Sequence, residues 1–224
     1  MRCMIGLLGT GGYAREVMPV LQAFLEEHRP KSLQGMQIEI YFLESKPITT
    51  LVNDVKVLNW QDFIASHADR KYFNVAIADS KIREQFAIEG TARGLIPLSI
   101  YSPSALSLTH NEIESGAILS PFSMITANAK IGKFFHANIY SYVAHDCVIG
   151  DYVTFAPNVH CNGNVIVEDH AYIGTGALLK QGTKDKPLRI GRGAVVGMGA
   201  VVTKDVAAGV TVVGNPAKEL VRTG

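Results

Sequence analysis

Apolar residues in the second half of the chain recur every six positions. From Ile113 the steps land on Leu119, Ile125, Ile131, Ala137, Val143, Ile149, Phe155, Cys161, Val167, Ile173 and Leu179. All twelve are apolar, in a chain that is 47% hydrophobic. Chance gives roughly one such run in ten thousand, before the choice of six frames. Four places after each lies Ala117, Ser123, Ala129, Phe135, Ser141, Cys147, Val153, Val159, Val165, Ala171, Ala177 or Thr183, mostly small or β-branched. The frame breaks once, with a five-residue loop expected within 184–189. It resumes at Ile190, Val196, Val202 and Ala208, with Ala194, Ala200, Val206 and Val212 four later. An α-helix repeats at 3.6 and a strand at 2, so neither produces this period. A hexapeptide β-helix does, with three units to a coil and about five coils here. Glycine after the apolar position (Gly132, Gly150, Gly174, Gly191, Gly197) is expected to serve a tight turn with positive φ.

The first half has a different pattern. Residues 4–8 read as a buried strand, followed by Gly9-Thr10-Gly11-Gly12-Tyr13-Ala14, a match to G-x-G-x-x-A. A helix follows, with Val17, Val20, Leu21 and Phe24 on one face; Pro19 is expected to kink it or delay its start. Further strands are expected at 38–43, ending at Glu44, at 73–78, ending at Asp79, and at 98–100, with a polar helix from Lys81. The acid of a dinucleotide site, expected about 20 residues on, is missing at that distance. Glycine amides near phosphates, and a strand-end carboxylate near a base or ribose, suit this unit better. The same glycines can also serve only to make a tight strand–helix turn.

Composition narrows the choices. Lys plus Arg number 21 against 20 Asp plus Glu, a net charge of +1, which excludes a basic nucleic-acid face. No apolar run approaches the roughly 18–20 residues of a membrane span. The N-terminus does not read as a signal peptide, and three cysteines make a poor disulfide framework, so a cytoplasmic location is expected. Cys147 and Cys161 fall on inward positions and are expected to be buried. No H-x-H, H-E-x-x-H or C-x-x-C pattern appears, and no metal is expected. His145 lies two places after Val143 and points outward from a turn. An imidazole titrates near ~6.5, which suits a base for an ammonium proton, and Asp146 beside it can orient the ring. A solvated His-Asp pair on a turn is the plainer alternative. His136, His160 and His170 also fall outward and are expected at the surface. His28, His67 and His110 have no partner near them in sequence.

The run from Ile131 to Val202 resembles the hexapeptide-repeat, left-handed β-helix acyltransferases. Gly9-Thr10-Gly11-Gly12, Val75-Ala76-Ile77-Ala78-Asp79-Ser80-Lys81-Ile82-Arg83, Tyr101-Ser102-Pro103-Ser104-Ala105, Val143-Ala144-His145-Asp146-Cys147-Val148-Ile149-Gly150-Asp151 and Val213-Gly214-Asn215-Pro216-Ala217-Lys218 carry a closer likeness. It is to the bacillosamine-type nucleotide-amino-sugar N-acetyltransferases, near sialic acid O-acetyltransferase-like proteins. The resemblance implies an α/β + β chain: a Rossmann-like nucleotide-sugar-binding domain over 1–105 and a left-handed parallel β-helix over 106–224. It implies acetyl transfer from acetyl-CoA to the 4-amino group of a UDP-linked 4-amino-4,6-dideoxy sugar by direct attack. His145 would be the base and Asp146 its partner, with Gly163 giving the N–H that meets the thioester carbonyl. Gly163, Thr175, Lys180, Met198 and Lys218 would line acetyl-CoA. Gly9, Gly11, Gly12, Tyr13, Glu44, Asp79 and Asn138 would take the nucleotide sugar. A homotrimer with active sites between subunits is implied, with the clusters Phe134-Phe135 and Tyr140/Tyr142 as interface candidates. Many relatives have histidine at Tyr13, aspartates at Glu44-Ser45 and Gly-Asp-Asn at 78–80; some have a second histidine at Thr154. The alternatives are a GDP- or dTDP-linked substrate, sugar O-acetylation, a β-helix scaffold without catalysis, and a metal-dependent protein of the γ-carbonic anhydrase kind, whose ligand spacing is absent.

Overall fold

The apolar run at the N-terminus becomes the strand β1 (Arg2–Leu8), buried from Cys3 onward. After it come α1 (Gly12–Glu27), β2 (Gln37–Glu44), β3 (Leu51–Val52), β4 (Val55–Asn59), α2 (Trp60–Ala65), β5 (Arg70–Val75), α3 (Ser80–Ala92) and β6 (Ile96–Pro97). This computed structural model describes residues 1–221. It divides into two units, Met1–Pro103 and Ser104–Gly224. The sheet of the first unit has the order β3-β4-β2-β1-β5-β6. Its pairs are parallel except β3 with β4. β1 lies inside the sheet with strands on both sides, which explains its continuous apolar run. Leu8 pairs with Leu43, so the glycine loop and Glu44 leave the sheet side by side.

Several boundaries differ from the expectations. Pro19 neither ends nor delays α1, which runs unbroken through it. The proline is exposed, so the Arg15 carbonyl it leaves without a partner faces solvent. The buried stripe Ala14, Val17, Met18, Leu21, Phe24 and Leu25 holds both halves of the helix in place. The third strand stops at Val75 rather than Ala78, and the segment after it becomes a loop. The expected strand at 98–100 is split into Ile96–Pro97 and Ile100–Tyr101. The elements β3, β4 and α2 had no clear periodic signal because each is six residues or fewer.

The second unit is a β-helix of two- to four-residue strands. One of its three sheets stacks Ile118–Leu119, His136–Ala137, Thr154–Phe155, Tyr172–Ile173 and Val195–Val196 in parallel register. Of the apolar six-step positions, those from Leu119 to Val202 are buried. Ile113 and Ala208, at the two ends, are not, because no complete coil covers them. The expected loop at 184–189 is shifted. Thr183 is exposed and Leu188 takes its inward place, pairing with Val165, so the extra residues lie between Gly182 and Leu188.

The turn chemistry also differs. Gly132, Gly150, Gly174, Gly191 and Gly197 do not have positive φ. They are glycine because the next coil is too close for a side chain. A Cβ on Gly132 would lie 2.5 Å from the Gly150 carbonyl carbon, and one on Gly191 would lie 2.4 Å from the Ala208 nitrogen. Positive φ falls two residues later in the turn, at Phe122, Asn128, Phe134, Tyr140, Asp146, Tyr152, Asn158, Asn164 and His170 among others. The left-handed conformation costs a non-glycine residue roughly 1–2 kcal/mol. At the corner that holds Phe134, Tyr152 and His170, the rings stack in a ladder with centroids 5.8 and 5.3 Å apart. Ring pairs of this kind contribute about 0.5–1.5 kcal/mol beyond area burial, enough to offset much of that strain.

The ladder corrects further expectations. His170 is buried in the stack rather than at the surface, and His136 is 0% exposed. Phe134 and Phe135 belong to the protomer's own interior, so they do not serve an interface. Thr154 is buried between His136 and Tyr172 in the sheet register.

A close-approach glycine should therefore be sensitive to a single methyl group. Gly132→Ala is expected to lower stability by about 2–3 kcal/mol, the cost of overpacking. Gly176→Ala, whose Cβ meets nothing within 4 Å but whose φ is +68°, is expected to cost about 1 kcal/mol. Chemical denaturation of both variants measures the difference.

Candidate active site

The turn after Val143 presents His145 and Asp146 to solvent, each side chain about half exposed. Asp146 has φ +58°, a conformation Asp tolerates better than most residues. Its Oδ2 lies 2.7 Å from His145 Nδ1. When the carboxylate accepts the Nδ1–H, the opposite ring nitrogen, Nε2, carries the lone pair. The Asn164 N–H donates to the His145 carbonyl at 3.0 Å, which sets the next coil's turn directly alongside. That turn holds Gly163. A Cβ on Gly163 would lie 2.5 Å from His145 Nε2 and 2.5 Å from Cε1. Only glycine leaves the imidazole its position. The Gly163 N–H has no acceptor among the described residues.

Polar groups hold this corner from below. Tyr142 Oη donates to Asn162 Oδ1 at 2.9 Å, and Asn162 Nδ2 donates to the Leu179 carbonyl at 2.8 Å. Burial pushes the Tyr142 phenol up, with the Cys161 sulfur adding to the effect. Cys147 and Cys161 are buried with their sulfurs 3.9 Å apart. The hydrogen bond to Cys147 pushes the Cys161 thiol well up, and burial adds to it. Neither sulfur faces the histidine's solvent side.

The other residues expected at this site are more dispersed. Thr175 and Met198 share a different corner, in adjacent coils, where the Gly199 N–H donates to the Thr175 carbonyl at 2.8 Å. Both are exposed, Met198 at 80%. Asn138 Nδ2 donates to the Phe155 carbonyl at 2.8 Å, which leaves Oδ1 for a ligand. Lys180 and Lys218 are exposed. Among the described residues, no group of three or more His, Cys, Asp or Glu is placed to hold a metal ion. No helix among them is long and apolar enough to cross a membrane.

The first unit gathers a second cluster. Gly9 has φ +106°, and its N–H donates to the Leu43 carbonyl at 2.9 Å. Thr10 Oγ1 donates to Glu44 Oε1 at 2.6 Å, which joins the glycine loop to the end of β2. Both residues line a 170 Å³ cavity with Lys46, Ile48, Thr49 and Val57. Thr10 and Lys46 were not among the expected site residues; Thr10 sits inside the glycine motif, where only the glycines drew attention. Gly11 caps α1 without any side-chain bond, and the first turn holds no acidic residue. An uncapped helix start of this kind favours an anion. A Cβ on Gly11 or Gly12 would meet nothing within 4 Å. Their lack of side chains is therefore not needed for packing. Tyr13 is half-buried on the first turn of α1. Asp79 caps α3: its Oδ1 accepts from the N–H groups of Lys81 at 2.9 Å and Ile82 at 3.0 Å. Arg83 is fully buried and donates to the Ile77 carbonyl at 2.7 Å, fixing the loop before that cap.

A hexapeptide β-helix with an outward His–Asp pair set against an open backbone amide defines the class: an acyltransferase of the hexapeptide-repeat type. No family model matches the chain. It is 48% identical over 220 residues to the GDP-perosamine N-acetyltransferase of Escherichia coli O157:H7, covering 98% of this chain and 97% of that one. The solved structure of WeeI from Acinetobacter baumannii AYE is 52% identical, covers 97% of this chain and 100% of its own, and superposes with a TM-score of 0.90. The acetyltransferase domain of PglB from Neisseria gonorrhoeae FA1090, solved with acetyl coenzyme A, is 26% identical. It covers 97% of this chain and 98% of its own, with a TM-score of 0.84. The chain belongs to the nucleotide-amino-sugar N-acetyltransferases of the hexapeptide acyltransferase family, which are acetyl-CoA-dependent enzymes.

The two kinds of loop glycine separate in a stability measurement. Gly9→Ala places a Cβ 3.1 Å from the Ala76 carbonyl oxygen at positive φ, and is expected to lose about 2 kcal/mol. Gly11→Ala, at φ −68°, is expected to stay within about 0.5 kcal/mol of the parent. Thermal unfolding of the two variants without ligand reads this directly.

Proposed function

We propose that the protein acetylates the 4-amino group of a nucleotide-diphosphate-linked 4-amino-4,6-dideoxy sugar, and that His145 is the general base. The observation that carries this is the corner itself: a 2.7 Å Asp146–His145 contact, with Nε2 packed against Gly163. In the proposed step the sugar amine attacks the thioester carbon. Nε2 takes the ammonium proton as the C–N bond forms. The Gly163 N–H donates to the oxygen that becomes negative, a contribution of several kcal/mol in a water-poor groove. The tetrahedral intermediate then expels the CoA thiolate, which the imidazolium can protonate. Asp146 holds the ring in the productive tautomer. Attack is direct, because the cysteines nearest the corner are buried.

The first unit is proposed as the nucleotide-sugar-binding domain, Rossmann-like, over 1–105, and the remainder, 106–224, as a left-handed β-helix acetyltransferase domain. The amides of Gly11 and Gly12, at an uncapped helix start, suit a diphosphate, with Tyr13 beside them, and Glu44 with Thr10 suits the base or ribose. Asp79 has one oxygen engaged as a helix cap and retains the other for the substrate. Asn138 keeps its role as a sugar contact. Thr175, Met198, Lys180 and Lys218 are proposed along acetyl-CoA. The sequence favoured a uridine nucleotide. The substrate named for the 48% identical relative favours guanosine, and we take GDP as the better expectation.

Active sites between the subunits of a homotrimer are part of the same reading. Exposed Phe122, Ile139, Tyr140 and Met198 line one corner of the β-helix, an apolar ridge that a neighbouring copy would cover. A cytoplasmic location fits an enzyme that consumes acetyl-CoA.

His145→Ala is expected to lower kcat/KM for acetyl transfer by about 10²–10⁴, with the fold unchanged. Retained activity in a thiol-release assay would remove His145 from the mechanism. A panel of GDP-, UDP- and dTDP-linked amino sugars, assayed the same way, tests the base. GDP is expected to give the highest kcat/KM, and a clear preference for UDP would reverse the assignment.

A further inference from the structure

An inward side chain of the hexapeptide can serve the backbone as well as the core. Ser123 Oγ donates to the Ser120 carbonyl at 2.7 Å, and Ser141 Oγ donates to the Asn138 carbonyl at 2.6 Å. In both pairs the acceptor directly follows the apolar six-step residue, and the donor lies three places further on. Asn162 holds the acceptor place at the His145 corner, directly after Cys161. Its own turn offers no hydroxyl, because the residue three places on is Val165. The donor comes from the preceding coil. Cys147, which is buried, has its Sγ 3.2 Å from the Asn162 carbonyl oxygen. Two other acceptors are further from that sulfur, the His145 carbonyl at 3.7 Å and Cys161 Sγ at 3.9 Å. Cys161 Sγ is 3.9 Å from the Asn162 oxygen, so Cys147 is the nearer donor. Among the described residues, no backbone N–H donates to this carbonyl. An inward carbonyl left without a donor is costly, and the thiol supplies one.

We infer that Cys147 is a positioning residue for acetyl transfer: its thiol holds the Asn162 carbonyl inward and so aims the Gly163 N–H outward at the His145 corner. The inference rests on the acetyl-transfer reading of that corner, in which the Gly163 N–H meets the developing oxyanion. The link is the peptide unit itself. The Asn162–Gly163 peptide is trans, so its C=O and N–H share one plane and point opposite ways. Fixing one end fixes the other. The plane needs fixing, because the wide conformational range of glycine lets the peptide before it rotate. The Asn162 side chain is tied separately, to Tyr142 Oη and the Leu179 carbonyl. Those bonds leave the direction of the Asn162 carbonyl to the thiol. A rotated plane would present an oxygen to the oxyanion in place of a donor. An oxyanion donor contributes most when it needs no reorientation as the charge develops.

Cys147→Ser keeps a donor at the carbonyl, and Cys147→Ala removes it. With acetyl-CoA and a nucleotide-linked amino sugar, Cys147→Ala is expected to lose about tenfold in kcat. That is less than the roughly 10²–10³ lost when an oxyanion donor is deleted, since the N–H itself remains. KM for both substrates should stay within about twofold, and Cys147→Ser should keep kcat within about threefold of the parent. A merely structural role would not separate kcat from KM or serine from alanine. If the alanine variant does not fold, Cys147→Thr against Cys147→Val asks the same question within one shape. Val153, Val159 and Val165 already fill the equivalent inward place in other units. Crystal structures of the variants read the peptide plane without an assay. The Asn162 carbonyl is expected to turn from the core in the alanine variant and to stay inward in the serine variant. An unturned carbonyl or a parental kcat in the alanine variant overturns the inference. So does an equal loss in alanine and serine, or a loss confined to KM. A parent that transfers no acetyl group overturns instead the reading on which the inference rests.

Discussion

The spacing between coils governs the second unit. Parallel strands a few residues long must hydrogen-bond to neighbours above and below at about 4.8 Å. Any side chain that points along the axis at a turn collides with the next coil. Gly132, Gly150, Gly174 and Gly191 answer that constraint. So does Gly163, with the difference that the atom it makes room for is a ring nitrogen of His145. The glycine that permits stacking elsewhere permits, at this corner, an imidazole and an unused backbone donor to lie side by side. The candidate chemistry is therefore a local use of the rule that holds the whole unit together.

The same stacking makes the turns tolerant of residues that are usually poor in left-handed conformations. A single Phe or Tyr at positive φ is strained. A column of them shares ring contacts, as Phe134, Tyr152 and His170 do. Phe122 and Tyr140 stack in the same way at another corner, 5.1 Å apart, but there the rings remain exposed. One aromatic column completes the protomer's interior and the other stays on its surface. The repeat alone does not distinguish them, since both occupy the same place in the hexapeptide.

The two units use glycine for different reasons. In the first unit, Gly9 is required by its backbone conformation, whereas Gly11 and Gly12 face open space at an uncapped helix start. In the second, Gly163 is required by contact with a side chain. An anionic substrate at the first and a thioester at the second would both be met by backbone amides. That is consistent with a chain whose net charge is nearly zero.

The sequence by itself determined the β-helix, because inward and outward positions are a local property repeated every six residues. It also marked His145, Asp146 and Gly163, and the glycine loop that meets Glu44 through Thr10. What it could not determine are contacts between residues 18 or more apart whose register depends on the coil. The burial of His136 and His170 is one example, and the inward place taken by Leu188 instead of Thr183 is another. Asp79 looks like a free carboxylate in the sequence, yet one of its oxygens caps α3. Lys186 and Lys204 lie 18 residues apart and look like ordinary surface charges. Only the stacked coils and the inserted loop place them around one cavity, because stacking converts distance along the chain into adjacency along an axis.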